Sequence, residues 1–542
     1  MKILSGGLLA GIAALVLFLG PAWPAEIHEA AKAGDLAKVQ ALIGKDPALV
    51  NARDETGRTP LHWACRGVHV EILRALVGQG ADVNAQDGNG VSPLHSVSSR
   101  GHVEAAKLLL DRGARPEAKM YDSSTALHLA AANGHTEVVV LLVERGAPLY
   151  VQDDREDTPL HAAAQLGKWE VVGLLADRAG AGQRAALDRP DFDGSTVLHL
   201  AAGSGQLATV KLLLARGVDI SARNTLGQSA YNLAEEGGLK EIAALLADKG
   251  ADRGPQRFPR LGGPYLGQTP PGTTPRLFAK GIVSTRRGLY GTIVFSPDGR
   301  EAFWKPEGPR MLGMKQDRDV WGPPREFAFT GKKTLNVPFF SHDGRKLYFM
   351  VDVSRNAQGI IEKEAIWFTE KTGAGWSEPK SFDPVVNSAE MHWQFSMDKR
   401  GHLYLNSDGG INCARRKSGR YLPPTPLPAP INEKHTEDQR YRAGELGPFI
   451  SPSGDYLIYT KMNADALWPS QLFISFRNKD GIWSEPWNLS GKLQTEGNDS
   501  MAKVTSDGKY LFFQSVRRGS GASRGLYWVD ARIIEELRSP KK

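Results

Sequence analysis

The sequence predicts a multidomain chain, an α-solenoid of stacked helix-pair repeats followed by an all-β propeller, with five blades favoured and six as the alternative. Three observations predict it. A four-residue block recurs about every 33 residues in the N-terminal half, a strand–turn–strand block recurs every 45 to 57 residues in the C-terminal half, and a Pro/Gly-rich stretch lies between them. At 542 residues the chain is too long for one small domain. Its 41% hydrophobic and 23% charged residues fit neither wholesale disorder nor a polytopic membrane protein. The two cysteines, Cys65 and Cys413, are too few and too far apart for a disulfide scaffold or a zinc cluster, so stability has to come from packing.

Residues 1–25 have the build of a secretory signal peptide: Lys2, an apolar stretch from about Leu8 to Leu19, then small residues before the charge pattern resumes at Glu26. The apolar run falls short of the roughly 20 residues that span a bilayer, so no permanent anchor is expected. Gly20 and Ala22 favour cleavage after Ala22, with Ala25 as the other site. No cysteine follows the run, which excludes a lipoprotein signal. The expected location is therefore outside the cytoplasm, periplasmic or extracellular, with no membrane span once the signal is removed.

Residues 26–254 form the first repeat array, of about seven copies. Thr59-Pro60-Leu61-His62 returns as Ser92-Pro93-Leu94-His95, Thr125-Ala126-Leu127-His128, Thr158-Pro159-Leu160-His161 and Thr196-Val197-Leu198-His199, at spacings of 33, 33, 33 and 38 residues. Degenerate copies begin near Ala25 and at Ser229. Thr or Ser caps a first helix, Pro takes a position whose N–H has no helical partner, and Leu enters the core between repeats. Apolar runs at 138–142 and 210–214 supply the second helix, which glycines such as Gly113, Gly146 and Gly217 end. The period and the T-P-L-H block resemble the ankyrin repeat, which implies that each copy buries its face only against its neighbours.

Nine of the 13 histidines belong to this pattern. His28, His62, His95, His128, His161 and His199 take the block position, and His69, His102 and His135 a later Gly-His or Val-His position. One per copy, they read as residues bonding local backbone rather than as a metal array. The variable positions are where recognition would reside: Arg58, Trp63, Arg66 and Arg100 on first helices or their approaches, and Tyr121, Arg155 and Phe192 in the turns between copies. Arg and aromatic side chains are the usual anchors of protein interfaces.

Residues 255–275 read as a linker, because six prolines and several glycines suit neither a helix nor a sheet interior. Residues 276–538 then become rich in aromatics, with nine of the 12 tryptophans beyond the break. Five copies of a Ser/Thr-x-Asp-Gly or Ser-Gly turn between apolar strands follow, around Asp298, Asp343, Asp398, Ser453 and Asp507. Trp321, Trp376, Tyr421 and Trp483 mark one outer hairpin per copy, and the last copy lacks that marker. Its outer strand is expected from residues 280–284, closing the ring between the ends of the propeller. The S-P-D-G-K-x-L-x-F pattern resembles the WD-repeat-like blades of TolB-type propellers over about residues 270–537. That resemblance implies periplasmic partners.

Catalytic chemistry is not legible. Gly521-Ala522-Ser523-Arg524-Gly525 matches a nucleophile-elbow pattern, but too little chain follows for the acid and histidine such a site requires. No cofactor or metal site is expected. Segments leading into inner strands bring Glu390, His392, Trp393, Glu437, Glu496, Asn498 and Asp499 towards one mouth of the propeller channel, where a polar ligand or cation could bind.

Charge divides the chain. Residues 26–256 carry 24 Lys and Arg against 30 Asp and Glu, a net −6, while residues 257–542 carry 42 against 30, a net +12. The two halves can attract each other, and no basic run suggests nucleic acid. The expected function is an exported, non-catalytic scaffold binding proteins through the repeat groove and the propeller. The alternative is an enzyme or a small-ligand or cation receptor using the channel mouth.

Overall fold

The computed structural model describes residues 23–538 apart from 179–183, 287, 309, 328–334, 356–360, 374, 390, 408–409, 433–443, 463–469, 496–497 and 517–524. The proposed signal segment up to residue 22 and Ser523 lie outside the described residues. Contacts divide the chain into two compact units: one of residues up to Arg189 with Ser204–Val218, the other of Pro190–Gly203 with Asp219–Lys542.

In the first unit the helices come in antiparallel pairs: Trp23–Ala33 with Leu36–Lys45, Pro60–Gly67 with Val70–Gly78, Pro93–Ser98 with Val103–Asp111, Ala126–Asn133 with Thr136–Glu144, and Pro159–Gln165 with Trp169–Arg178. The first helix of each pair packs on the first helix of the next. Leu61, Leu94, Leu127 and Leu160, from the repeated block, are all buried between copies. The capping is reciprocal. Thr59, Ser92, Thr125 and Thr158 donate their backbone N–H to Nδ1 of the histidine three residues on, at 3.1, 3.1, 3.1 and 3.4 Å. With Nδ1 accepting, the proton sits on Nε2, which donates onward to the neighbouring copy: His62 to the Val91 carbonyl at 2.9 Å and His128 to that of Asp157 at 3.0 Å. These histidines therefore bond between repeats as well as locally. His69 and His135 do likewise in the opposite direction, to the Lys32 and Ser99 carbonyls.

The turns between copies have their own order. Asp54, Asp87 and Asp153 each accept two backbone N–H bonds from residues two and four positions later. The Gly88 and Tyr121 N–H groups donate to the Thr56 and Asn89 carbonyls of the preceding turn. A chain of backbone bonds thus sets the repeat spacing beside the apolar core.

The second unit opens with helices Val197–Gly203, Ala230–Glu236 and Lys240–Asp248 and continues as all-β structure. Four-stranded antiparallel blades follow one another, five in number. Their inner strands are Val294–Phe295, Leu335–Phe340, Met391–Met397, Gly444–Ile450 and Ser500–Val504. The turns after the first, second, fourth and fifth inner strands are built by a hydroxyl, whereas after the third the Asp398 carboxylate takes that place and accepts the His402 N–H. Ser296, Ser341 and Thr505 donate to the Asp two residues on and accept the N–H that starts the next strand. That explains the repeated Ser/Thr-x-Asp spacing.

Two expectations change. The last blade is completed by Arg276–Leu277, which pairs with Tyr527 and Trp528, and not by residues 280–284. Those residues fold into a tight turn instead, with Ser284 accepting the Leu526 N–H on its hydroxyl. Residues 255–275 are not a free linker either. Leu261–Gly262 pairs with Val320 and Trp321, the Trp321 indole donates to the Gly263 carbonyl at 2.8 Å, and Leu266 is fully buried. Proline and glycine exclude an α-helix here, but they permit an extended strap, broken by one 3-10 turn at Tyr265–Gly267, that seats its apolar residues on a finished sheet edge.

Candidate functional site

Trp63 is the centre of the clearest cluster in the first unit. It sits on the exposed side of helix Pro60–Gly67, whose other side buries Leu61, Ala64 and Cys65. Its indole N–H donates to Asp54 Oδ2 at 2.9 Å. Three cations lie by the ring: Lys32 and Arg58 each at 5.3 Å and Arg66 at 5.7 Å from its centroid. Burial works against ionisation of Asp54, but hydrogen bonds from the Thr56 hydroxyl, the Arg58 N–H, the Trp63 indole and the Thr56 N–H outweigh it. They hold its pKa at about 2. Arg58 is fixed by Asp87, Nε to Oδ2 at 3.1 Å, with the Asp87 side chain 1% exposed. The result is an oriented indole with a basic surround.

Of the sequence candidates, Arg58, Trp63 and Arg66 come together, joined by Lys32 and Asp54, which sequence reading passed over. The signal for Asp54 was its place in the turn, four residues before Arg58. Lys32 reaches the ring only through the packing of neighbouring copies. Arg100 is exposed at the end of the next first helix, Tyr121 is 52% exposed in a turn, and Arg155 is exposed one turn further on. Phe192 has to be corrected. It is 4% exposed in the second unit, with the Lys280 ammonium 5.0 Å from its ring centroid, so packing has taken the face an interface would use. Beside it, Asp193 accepts the Arg286 N–H at 3.0 Å, and Leu226 and Phe258 join the apolar cluster of the first blade.

At the channel mouth, Glu390, Glu437 and Glu496 lie outside the described residues. His392 and Trp393 are placed on the inner strand Met391–Met397 by their backbone alone. Asn498 is half-buried. Asp499 is buried, accepting from the Thr495 hydroxyl and donating its N–H to the Ser470 carbonyl. A further set was not among the sequence candidates: the buried Asn336 donates to Asp352 Oδ1 at 2.9 Å and lies 3.4 Å from Glu364 Oε1. These residues come from strand interiors, where Asn, Asp and Glu have no spacing that marks them.

Comparison with known proteins defines the class first. The N-terminal region is an ankyrin-repeat region: the family model described as Ankyrin repeats (3 copies) matches residues 27–120, 117–186 and 181–256. It is followed by a five-bladed propeller arrangement. Among curated proteins, the chain is 45% identical over 62 residues to Protein phosphatase 1 regulatory subunit 27 of Mus musculus and 44% identical over 62 residues to its Homo sapiens counterpart. Each match covers 11% of this chain and 40% of the relative, so the chain spans well under half the length of the proteins it matches. Among the described residues no helix is long and apolar enough to cross a membrane.

Proposed function

We propose that the protein is an exported, non-catalytic scaffold that binds a protein partner through the repeat surface around Trp63. One observation carries this reading: an indole held by Asp54 and surrounded by Lys32, Arg58 and Arg66. Such a patch suits a partner with acidic side chains beside an apolar one. Ankyrin repeats are interaction modules, and the similar proteins carry the name of a regulatory subunit, which supports a binding role. Export rests on the apolar segment at 8–19, and a periplasmic setting on the TolB-type resemblance of the blades.

The test is affinity capture from the exported fraction with wild type and with Trp63→Ala or Arg66→Ala, the fold being checked by circular dichroism. Loss of the Trp63 anchor is expected to weaken the specific partner by about 2 kcal/mol, with binding also falling as salt rises. Unchanged capture by both variants would move the interface elsewhere. N-terminal sequencing of the mature protein is expected to begin at Trp23 or Glu26, and a start at Met1 would sink the export reading.

A further inference from the structure

The outer hairpins of the blades share one build and differ in charge. In the first blade Arg318 lies between Asp317 and Asp319, in the second Glu370 and Lys371 are each ion-paired, and in the fourth Lys479 is followed by Asp480. The third blade departs from this balance. Its hairpin pairs Arg416–Lys417 with Arg420–Tyr421 across Ser418 and Gly419, both at the positive φ that a two-residue turn uses, and residues 409–432 contain no acid.

Alternation of side chains along the paired strands sorts this hairpin into two faces. Arg416 and Tyr421 form the inner one: the Tyr421 hydroxyl donates to the Gly401 carbonyl and the Arg416 N–H to His402 Nδ1, both at 2.9 Å. Arg415, Lys417, Arg420 and Leu422 are left on the outer face, all exposed, Leu422 at 46%. Lys417 and Arg420 stand directly opposite each other, an arrangement that costs stability. The turn on which the hairpin rests adds the exposed Lys399 and Arg400, while its acid, Asp398, is buried and accepts the His402 N–H. Among the described residues none of these cations has an ion-pair partner. The fold supplies acids at the other outer hairpins and none here, so the matching anion has to come from outside.

We propose that the outer face of this hairpin docks on an anionic lipid bilayer, with Arg415, Lys417 and Arg420 on headgroup phosphates and Leu422 at the acyl boundary. Guanidinium forks suit phosphate oxygens, and a charged surface satisfies several cations at once without a fixed partner for each. Leu422 decides the source of the anion. A soluble polyanion would meet the cations and leave the leucine in water, whereas a bilayer interface takes basic and apolar side chains from one face together. The surface is separate from the Trp63 cluster and does not depend on the reading of that site.

Co-sedimentation of the full-length protein with vesicles tests the proposal, using phosphatidylcholine alone and phosphatidylcholine with one third phosphatidylglycerol. An apolar N-terminal segment retained on the chain would bind both alike, so the difference between them reads the basic surface. The wild type is expected to bind the anionic vesicles at least tenfold more tightly. Replacing Arg415, Lys417 and Arg420 together by Gln is expected to weaken that binding by about a hundredfold, on the order of fivefold for each cation. Lys315→Gln with Lys479→Gln, on the hairpins of the first and fourth blades, should leave most of it. Leu422→Ser is expected to weaken vesicle binding severalfold and to leave binding of soluble polyglutamate unchanged. The substitutions are on the surface and relieve the Lys417–Arg420 repulsion, so the variants should fold, as circular dichroism would show; should the triple variant fail, Leu422→Ser and the wild type on the two vesicles still decide. Equal binding to both vesicles, a triple variant that keeps the preference, or polyglutamate bound as tightly as the anionic vesicles would each overturn the assignment, the last in favour of an acidic polypeptide.

Discussion

A histidine that caps its own helix with Nδ1 and reaches the next repeat with Nε2 has to be neutral, since protonation would turn the accepting nitrogen into a donor facing an N–H. Burial lowers the pKa of His62 and His199 and takes His95 and His128 to about 4, only partly offset by their backbone bonds. The linkage has a definite sign. The unfolded chain takes up protons near pH 6.5 while the folded repeats refuse them, so stability is fully present above that pH and is lost as pH falls towards 4. Urea midpoints for the repeats should therefore drop steeply from pH 7 to pH 4.5. His128→Asn is expected to flatten that slope, because Asn can cap without titrating, as Asn232 does in the Ser229 copy through the Ser229 N–H. A midpoint independent of pH would refute the account.

At the scale of elements, the strap at 255–275 shows how composition can mislead. It lacks any periodic apolar face, yet Tyr265 packs edge-on to Phe295 and Tyr510 at 5.1 and 4.9 Å and donates its hydroxyl to Asp507. Limited proteolysis should leave it intact while the fold holds, and Tyr265→Phe is expected to cost about 1 kcal/mol through the lost hydrogen bond. Early cleavage within 255–275 would contradict the packing. One glycine anchors the strap's beginning. Gly227 has φ +75°, its carbonyl accepts the Arg257 N–H, and a Cβ there would run into the Arg257 carbonyl. Gly227→Ala should therefore destabilise by at least 1 kcal/mol, beyond the ordinary cost of a left-handed alanine, as read by thermal unfolding.

For the whole β region, closure is the decisive event, because an open ring would leave the last blade a strand short. Phe278, next to the closing strand, is fully buried between Phe512 and Trp528 of the last blade and Phe295 of the first. Phe278→Ala is expected to cost about 3–5 kcal/mol and to lower the cooperativity of propeller unfolding, since it removes one of the side chains that join first blade to last. A shift under 1 kcal/mol would show that closure rests on the strand pairing alone.

By itself the sequence determined the helix-pair repeats and the Thr and Ser caps of their first helices, favoured five blades over six, and singled out Arg58, Trp63 and Arg66. Each of these depends on contacts at a fixed, short offset that repeats along the chain. Tertiary structure alone decided the rest. Lys32 meets Trp63, Phe192 is lost from the surface, and the strap finds its sheet edge. Those juxtapositions join residues tens to hundreds of positions apart, where no period in the sequence links them and only the packing of finished elements sets the distance.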